Sequence, residues 1–255
     1  MDLVCLGELL IDLFPAEVGR RLVEVSAFHP KPGGAPGNVA VAARRLGLTT
    51  AFIGKVGDDA FGRFLRDTLA AEGVATDGIR FDDAARTTLA FIALPDPHHA
   101  EFVFYRNPGA DTRLRPDELD EALLARARAL HVGSLSLVAE PSRAATLRAV
   151  ALARAAGALV SFDVNYRPSL WPDAATAVAA IRALLPLAHV VKVNEDELRL
   201  LTGDEHPETG SAALLAEGPA LVVVTLGARG SAFHSAAAAG FVPAFPVATV
   251  DAIGC

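Results

Sequence analysis

Cysteine is almost missing from this chain: among 255 residues only Cys5, in an apolar strand-like run, and Cys255, at the last position, occur. That scarcity argues against a disulfide framework and fits a reducing compartment. Basic residues are also too few for a broad cationic surface, because 23 Lys and Arg against 30 Asp and Glu leave a formal net charge of -7. Nucleic acid is therefore not an expected partner, and an anionic ligand must meet a local cluster of donors. No apolar run reaches membrane-spanning length without a charge or a turn residue, and Met1 to Glu8 has no basic leader segment. These absences predict a soluble, unprocessed, cytoplasmic protein that does not engage a membrane. No internal repeat is evident.

What the chain does have is apolar content, 52% of its residues, in a length suited to one α/β domain over 1–255. Short runs rich in β-branched residues recur at Leu3 to Gly7, Thr50 to Gly54, Ala129 to Val132, Ala158 to Asp163, Val190 to Val193 and Ala220 to Thr225. Helical periodicity separates most of them. Ala60 to Glu72 sets Phe61, Phe64, Leu65, Thr68 and Leu69 on one face, and Glu140 to Ala156 opens on Pro141-Ser142 and stops at Gly157. The alternation predicts a mostly parallel central sheet with helices on both faces. Residues from about 13 to 32 and 87 to 111 break the pattern with short strands and turns, including a hairpin over Thr88 to Leu94 and Glu101 to Arg106. These excursions predict a small β-sheet lid.

The densest chemical signal is Gly33-Gly34-Ala35-Pro36-Gly37-Asn38, ahead of a helix expected over Val39 to Leu46. Glycines before a helix allow positive φ and close backbone approach, and Asn38 offers a polyol both a donor and an acceptor. Alone, the segment is equally a plain glycine-rich helix start. By position, Asp12 is as much a turn aspartate as a ligand, and Arg167 as much a solvated arginine as an anion contact. Asn194 and Glu197, three apart at a helix start, also read as a capping pair. Thr225-Leu226-Gly227-Ala228-Arg229-Gly230 is by itself an ordinary glycine turn.

Taken in order, these pieces resemble the ribokinase-like (PfkB) carbohydrate kinases, and the fructokinase branch within them. The resemblance runs from Leu6-Gly7-Glu8-Leu9-Leu10-Ile11-Asp12 through Phe104-Tyr105-Arg106-Asn107-Pro108, Asp163-Val164-Asn165-Tyr166-Arg167 and Asn194-Glu195-Asp196-Glu197 to the final residues. It implies a ribokinase-like α/β fold and transfer of the γ-phosphoryl group of ATP, with Mg2+, to a primary hydroxyl of a sugar. Fructose is the sugar it favours, with 2-keto-3-deoxygluconate as the rival. By the same resemblance Asp12, Gly33, Gly34, Asn38, Tyr105, Arg106 and Arg167 bind the sugar, and Asn165, Asn194, Thr225, Gly227 and Gly230 the nucleotide. Asn194 and Glu197 organise the magnesium and phosphate region without a direct protein ligand to the metal. Homodimerisation through the lid would suit the fold.

The last residues, Val250-Asp251-Ala252-Ile253-Gly254-Cys255, resemble the opening of the family's anion-hole loop, with Ala252 and Ile253 where threonines are usual. Gly254 and Cys255 would begin the anion hole, and the catalytic Asp is expected just beyond Cys255, so that the chain as written would turn over poorly. A non-catalytic sugar or nucleotide binder is the alternative of another class.

Overall fold

A computed structural model describes residues 1–96 and 99–247. The chain opens in β1 (Leu3–Leu6), then leaves the body for β2 (Leu10–Pro15) and β3 (Phe28–Gly33) and returns in α1 (Ala35–Arg45). β4 (Thr50–Gly57), α2 (Ala60–Ala71) and β5 (Ala75–Asp82) precede a second excursion, β6 (Leu89–Asp96) and β7 (His99–Tyr105). Then come α3 (Glu121–Ala125), β8 (Ala129–Gly133), α4 (Ser142–Ala155), β9 (Leu159–Asp163) and α5 (Ala174–Leu184). The described part closes with β10 (Val190–Asn194), α6 (Glu195–Thr202), α7 (Pro207–Leu215), β11 (Leu221–Thr225), β12 (Gly230–Ser235) and β13 (Ala239–Pro243).

The main sheet runs β13-β12-β11-β10-β9-β8-β1-β4-β5. Its strands are parallel from β11 to β5, and β12 and β13 add an antiparallel edge. The chain winds from β1 toward β4 and β5, then resumes on the other side with β8. Between the carboxyl ends of β1 and β8 lies the switch in direction where doubly wound sheets bind ligands. A separate four-stranded sheet, β3-β2-β6-β7, is built from the two predicted excursions, beginning at Leu10 and ending at Tyr105.

Most central strands are buried as expected, and all eight residues of β4 are inaccessible, as a strand sandwiched on both faces requires. One core cluster packs β1, β4 and β8 to β12 against α3 to α7; a second packs Cys5, Leu9, Ile11 and Phe52 with residues of α1 and α2. Helices thus lie on both faces, but unequally. On the α1 side, Ser161, Asp163, Val190, Lys192, Leu221 and Val223 are only half-buried. Two local expectations shift: Phe61 and Phe64 stay exposed while Leu65 and Leu69 carry the buried face of α2. α1 starts at Ala35 rather than Val39, since Pro36 falls in the first turn, where a missing N–H costs nothing.

Candidate active site

Backbone geometry makes the floor. Gly34, the N-cap of α1, sits at φ 106°, and a Cβ there would run into the carbonyl of Glu8. Gly33 lies opposite Leu10 in the β2–β3 ladder, and a Cβ on it would collide with the Asp12 carboxylate. Only glycine meets both demands, the first for its φ and the second for its lack of a side chain. Asp12 is held over this floor by β2. Burial pushes its carboxyl up to about 6, while Arg167, beyond the end of β9, pulls it back toward ionisation. The small sheet and the carboxyl edge of the main sheet therefore meet at this pair. Asn38, exposed on α1, lines a groove of about 300 Å³ with Leu9, Pro32 and Gly33; the Arg45–Glu72 ion pair lies farther along it.

Along the edge from β9 to β11 stand the expected nucleotide contacts. Asn165 takes φ 38°, the single positive value outside glycine among the described residues. Such a backbone costs about 1–3 kcal/mol and persists where its surroundings hold it, commonly at functional sites. Asn194 pairs with Thr225 across the ends of β10 and β11, and Thr225 Oγ1 donates to the Val193 carbonyl at 3.4 Å. Gly227 and Gly230 have φ values of 57° and 119° in the turn after β11. Arg229 in that turn pairs with Glu195 at the start of α6, tying the two loops together.

Asn194 and Glu197 form a capping box. Asn194 Oδ1 accepts from the Glu197 N–H at 2.8 Å, and Glu197 Oε2 accepts from the Asn194 N–H at 2.8 Å. The remaining oxygen, Oε1, accepts from the Tyr166 N–H at 2.7 Å. One buried carboxylate thus locks the loops after β9 and β10 together, and both its oxygens are occupied by backbone. Burial raises its pKa, opposed by those N–H groups and by Lys192. Among the described residues no group of three or more His, Cys, Asp or Glu side chains converges to hold a metal.

Two expected sugar contacts are placed elsewhere. Tyr105 pairs with Leu89 and through it with Ile11, so strand alternation turns it away from Asp12, which shares its face with Ala90 and Phe104. Tyr105 is 66% exposed and packs edge-on against Phe91, with ring centroids 5.2 Å apart. Arg106 is not a free group on the hairpin either. Its side chain is 3% exposed, Nε and Nη2 both donate to Asp111 Oδ2 at 2.8 and 2.5 Å, and Nη2 also donates to the Leu135 carbonyl at 3.0 Å. A buried guanidinium needs a counter-charge, and Asp111 supplies it in place of a ligand. Asp251, Gly254 and Cys255 lie outside the described residues.

Sequence reasoning gave no role to Glu8, Asp111, Ser134 or Asp163. Glu8 is 2% exposed; its Oε1 accepts from the Ala35 N–H at 3.1 Å, and its Oε2 has no hydrogen-bond partner. Ser134 Oγ and Asp163 Oδ1 are likewise buried without a hydrogen bond, although Lys192 Nζ is 3.1 Å from Asp163 Oδ1 in an ion pair of poor angle. Buried polar atoms without partners are rare, and these follow β1, β8 and β9 beside the switch. Each stands at, or one or two residues beyond, the end of a predicted strand, a position that could have singled them out.

The profile of the pfkB family carbohydrate kinases matches residues 1–255. The chain belongs to this family. As a pfkB carbohydrate kinase it is 46% identical over 253 residues to fructokinase-2 of Solanum habrochaites, covering 99% of this chain and 77% of that one. The fold of this pfkB kinase is similar to that of a fructokinase double mutant from Vibrio cholerae O395 with bound fructose, ADP and potassium ion (TM-score 0.87, 34% identity, 98% and 78% of the two chains). It is also similar to a putative ribokinase II from E. coli in complex with ATP and Mg2+ (TM-score 0.89, 29% identity, 98% and 80% covered).

Proposed function

We propose that this carbohydrate kinase is an ATP-dependent fructokinase that moves the γ-phosphoryl group to the 6-hydroxyl of fructose. Its relative from Solanum and its structural neighbour from Vibrio are fructokinases, the latter with fructose and ADP bound. The observation that carries the choice of sugar is the charge balance of the two arginines that a keto-acid kinase would turn on its substrate. Arg106 is neutralised by Asp111, and Arg167 faces the Asp12 carboxylate. A substrate carboxylate would enter a site whose cations are already matched, whereas a neutral polyol needs only donors and acceptors.

In this reading Asp12 accepts hydrogen bonds from adjacent sugar hydroxyls over the Gly33–Gly34 floor, with Asn38 at its margin and the small sheet as a lid. Phe104, on the Asp12 face, closes over the sugar where Tyr105 does not. Arg167 keeps the Asp12 carboxylate ionised over the sugar. Asn165, Asn194, Thr225 and the turn bearing Gly227 and Gly230 line the nucleotide, and Glu197 holds their loops in register. Magnesium, when bound with ATP, would neutralise phosphate oxygens; with no acidic cluster among the described residues, it would be carried by phosphate and water, with the Asn194–Glu197 region alongside.

A coupled ADP-release assay on the product of the gene, with fructose against 2-keto-3-deoxygluconate, tests this. Fructose-dependent turnover with at least tenfold higher kcat/KM is expected. Turnover of neither, or preference for the keto-acid, would overturn it.

The exposed side of the lid, with Val103 and Tyr105 beside the Phe28–Phe91 contact, is proposed to pair with a second copy. Light scattering should give a dimer that Tyr105→Lys weakens. ATP use and the buried Cys5 thiol are in keeping with a cytoplasmic location.

A further inference from the structure

The two sheets are joined by four chain crossings: after β1, from β3 into α1, into β6, and out of β7. One cluster of buried polar groups touches all four. Glu8, after β1, accepts the Ala35 N–H at the start of α1 at 3.1 Å. Arg106, just past β7, is bound to Asp111 Oδ2. Asp111 Oδ1 accepts from Thr88 Oγ1 at 2.5 Å, and the Thr88 carbonyl in turn accepts from the Ile11 N–H at 3.0 Å, where β6 meets β2. Arg106 also reaches the Leu135 carbonyl beyond β8. Glu8 is the member with spare capacity. Its Oε2 is buried with no hydrogen bond, yet the charges of Arg106 and Asp111 act on it from the other side of the crossings.

We infer that Glu8 is a positioning residue: standing in the crossing from β1 to the lid strand β2 and bonded to the first N–H of α1, it sets lid orientation and the Gly33–Gly34 floor together. The cost of keeping this carboxylate in the interior is large, since a buried charge without a full set of partners is costly to the fold. A group retained only for stability would be neutral here. The structural consequence falls on the sugar side of the site, because the Gly34 floor is fixed between the Glu8 carbonyl and the Ala35 N–H that Glu8 holds. The nucleotide loops after β10 and β11 make no contact with the cluster among the hydrogen bonds of the described residues.

This role rests on the sugar site proposed above, and its test carries a readout that does not. Glu8→Gln keeps the shape and the acceptor for Ala35 but removes the charge. In steady-state kinetics it is expected to raise KM for fructose about tenfold while KM for ATP and kcat stay within about twofold. The limb near pH 7 in the profile of kcat/KM for fructose should vanish with it, leaving the Asp12 limb near pH 6; the charged groups facing Glu8 are Arg106 and Asp111. In the sugar-free protein, amide hydrogen exchange should quicken together in the lid strands and in the first turn of α1, with β9 to β11 unchanged. Glu8→Asp, which restores the charge on a shorter arm, should recover part of the KM.

Unaltered KM and pH profile, or exchange that changes in only one of the two regions or in neither, would overturn the inference. If the wild-type protein does not phosphorylate fructose, the proposed function fails and the exchange measurement alone decides this one. If Glu8→Gln does not fold, wild-type protection factors, corrected for the intrinsic pH dependence of exchange and taken relative to β9 to β11, are compared at pH 6 and pH 8, with a joint rise in lid and α1 at the higher pH as the expected result and no coupling as the refuting one.

Discussion

Asp12 of the small sheet lies within the field of Arg167 in the loop after β9, and the guanidinium draws its buried carboxyl toward ionisation. Burial lifts the Asp12 carboxyl to about 6, so near pH 7 it is mostly ionised but not far from its midpoint. Sugar affinity is expected to hold above that value and to fall as pH drops through about 6. Asp12→Asn should lose on the order of 10–100-fold in kcat/KM for the sugar, since a hydrogen bond to a charged group contributes roughly 1.5–3 kcal/mol. Calorimetric titration with fructose from pH 5 to 8 checks both; a flat profile in the wild type would remove Asp12 from the site.

The Arg106–Asp111 pair predicts a stability effect with a built-in control. Asp111→Ala leaves a guanidinium buried without its counter-charge and is expected to cost about 3–5 kcal/mol in urea unfolding. Replacing both, as Arg106→Met with Asp111→Leu, should recover most of that loss, because it removes the charge rather than stranding it. Equal destabilisation by the single and double variants would show that packing around η-turn residues 110–113, and not the charge pair, holds this corner.

Glu8 gives the opposite sign. Its carboxyl is pushed up to about 7 by burial, against the pull of its backbone contacts and Arg106. Between the unfolded value near 4.5 and about 7 the folded state binds the extra proton, so stability is complete at the acid end and declines as pH rises through that window. The loss by pH 8 is on the order of 3 kcal/mol for the shift involved. Glu8→Gln should therefore melt higher than the wild type at pH 8 and close to it at pH 5. A lower melting temperature at both values would mean the charge stabilises the fold.

Lys55 lies in a second buried network, 2.7 Å from Glu118 Oε1 and 3.2 Å from Asp82 Oδ2. Lys55→Met is expected to cost about 2 kcal/mol, less than the usual loss for a broken buried pair, because Asp82 retains Arg113 and the N–H groups of Ala84 and Ala85. Burial works to raise the Asp82 carboxyl, but hydrogen bonds from Arg113, Ala85 and Lys55 hold it well below the usual carboxylate range. That contribution is present above the unfolded pKa and lost as pH falls, so urea unfolding at pH 3 against pH 7 should show a smaller loss for Lys55→Met at the acid end.

The alternation of strands and helices and the glycine floor were legible because each depends on local sequence: β-branched runs for strands, and a Gly-Gly pair before a helix. The Asn194–Glu197 pair was legible twice over, as a capping box and as a family motif, and the capping geometry is what the hydrogen bonds display. Tyr105 and Arg106 were not legible. Which face of β7 a residue occupies depends on its register with β6, and Arg106 is set by a carboxylate five residues on, inside a turn with no periodicity. Glu8 carried only its position just past a predicted strand, since its role depends on burial between elements distant in the chain. The Ala-rich tract at 174–183 forms most of α5, capped by Asp173 accepting from the Thr176 N–H at 2.7 Å.

Because a strand repeats every two residues, the small sheet keeps Asp12 and Phe104 on one side and Tyr105 and Phe91 on the other with no spacer between them. A one-residue slip of β7 against β6 ahead of Phe104 would turn the tyrosine toward the Asp12 side and the phenylalanine away from it. The proposed sugar face and the proposed pairing face are thus written on the same strand in alternate letters, and a change of length there could not alter one without rewriting the other.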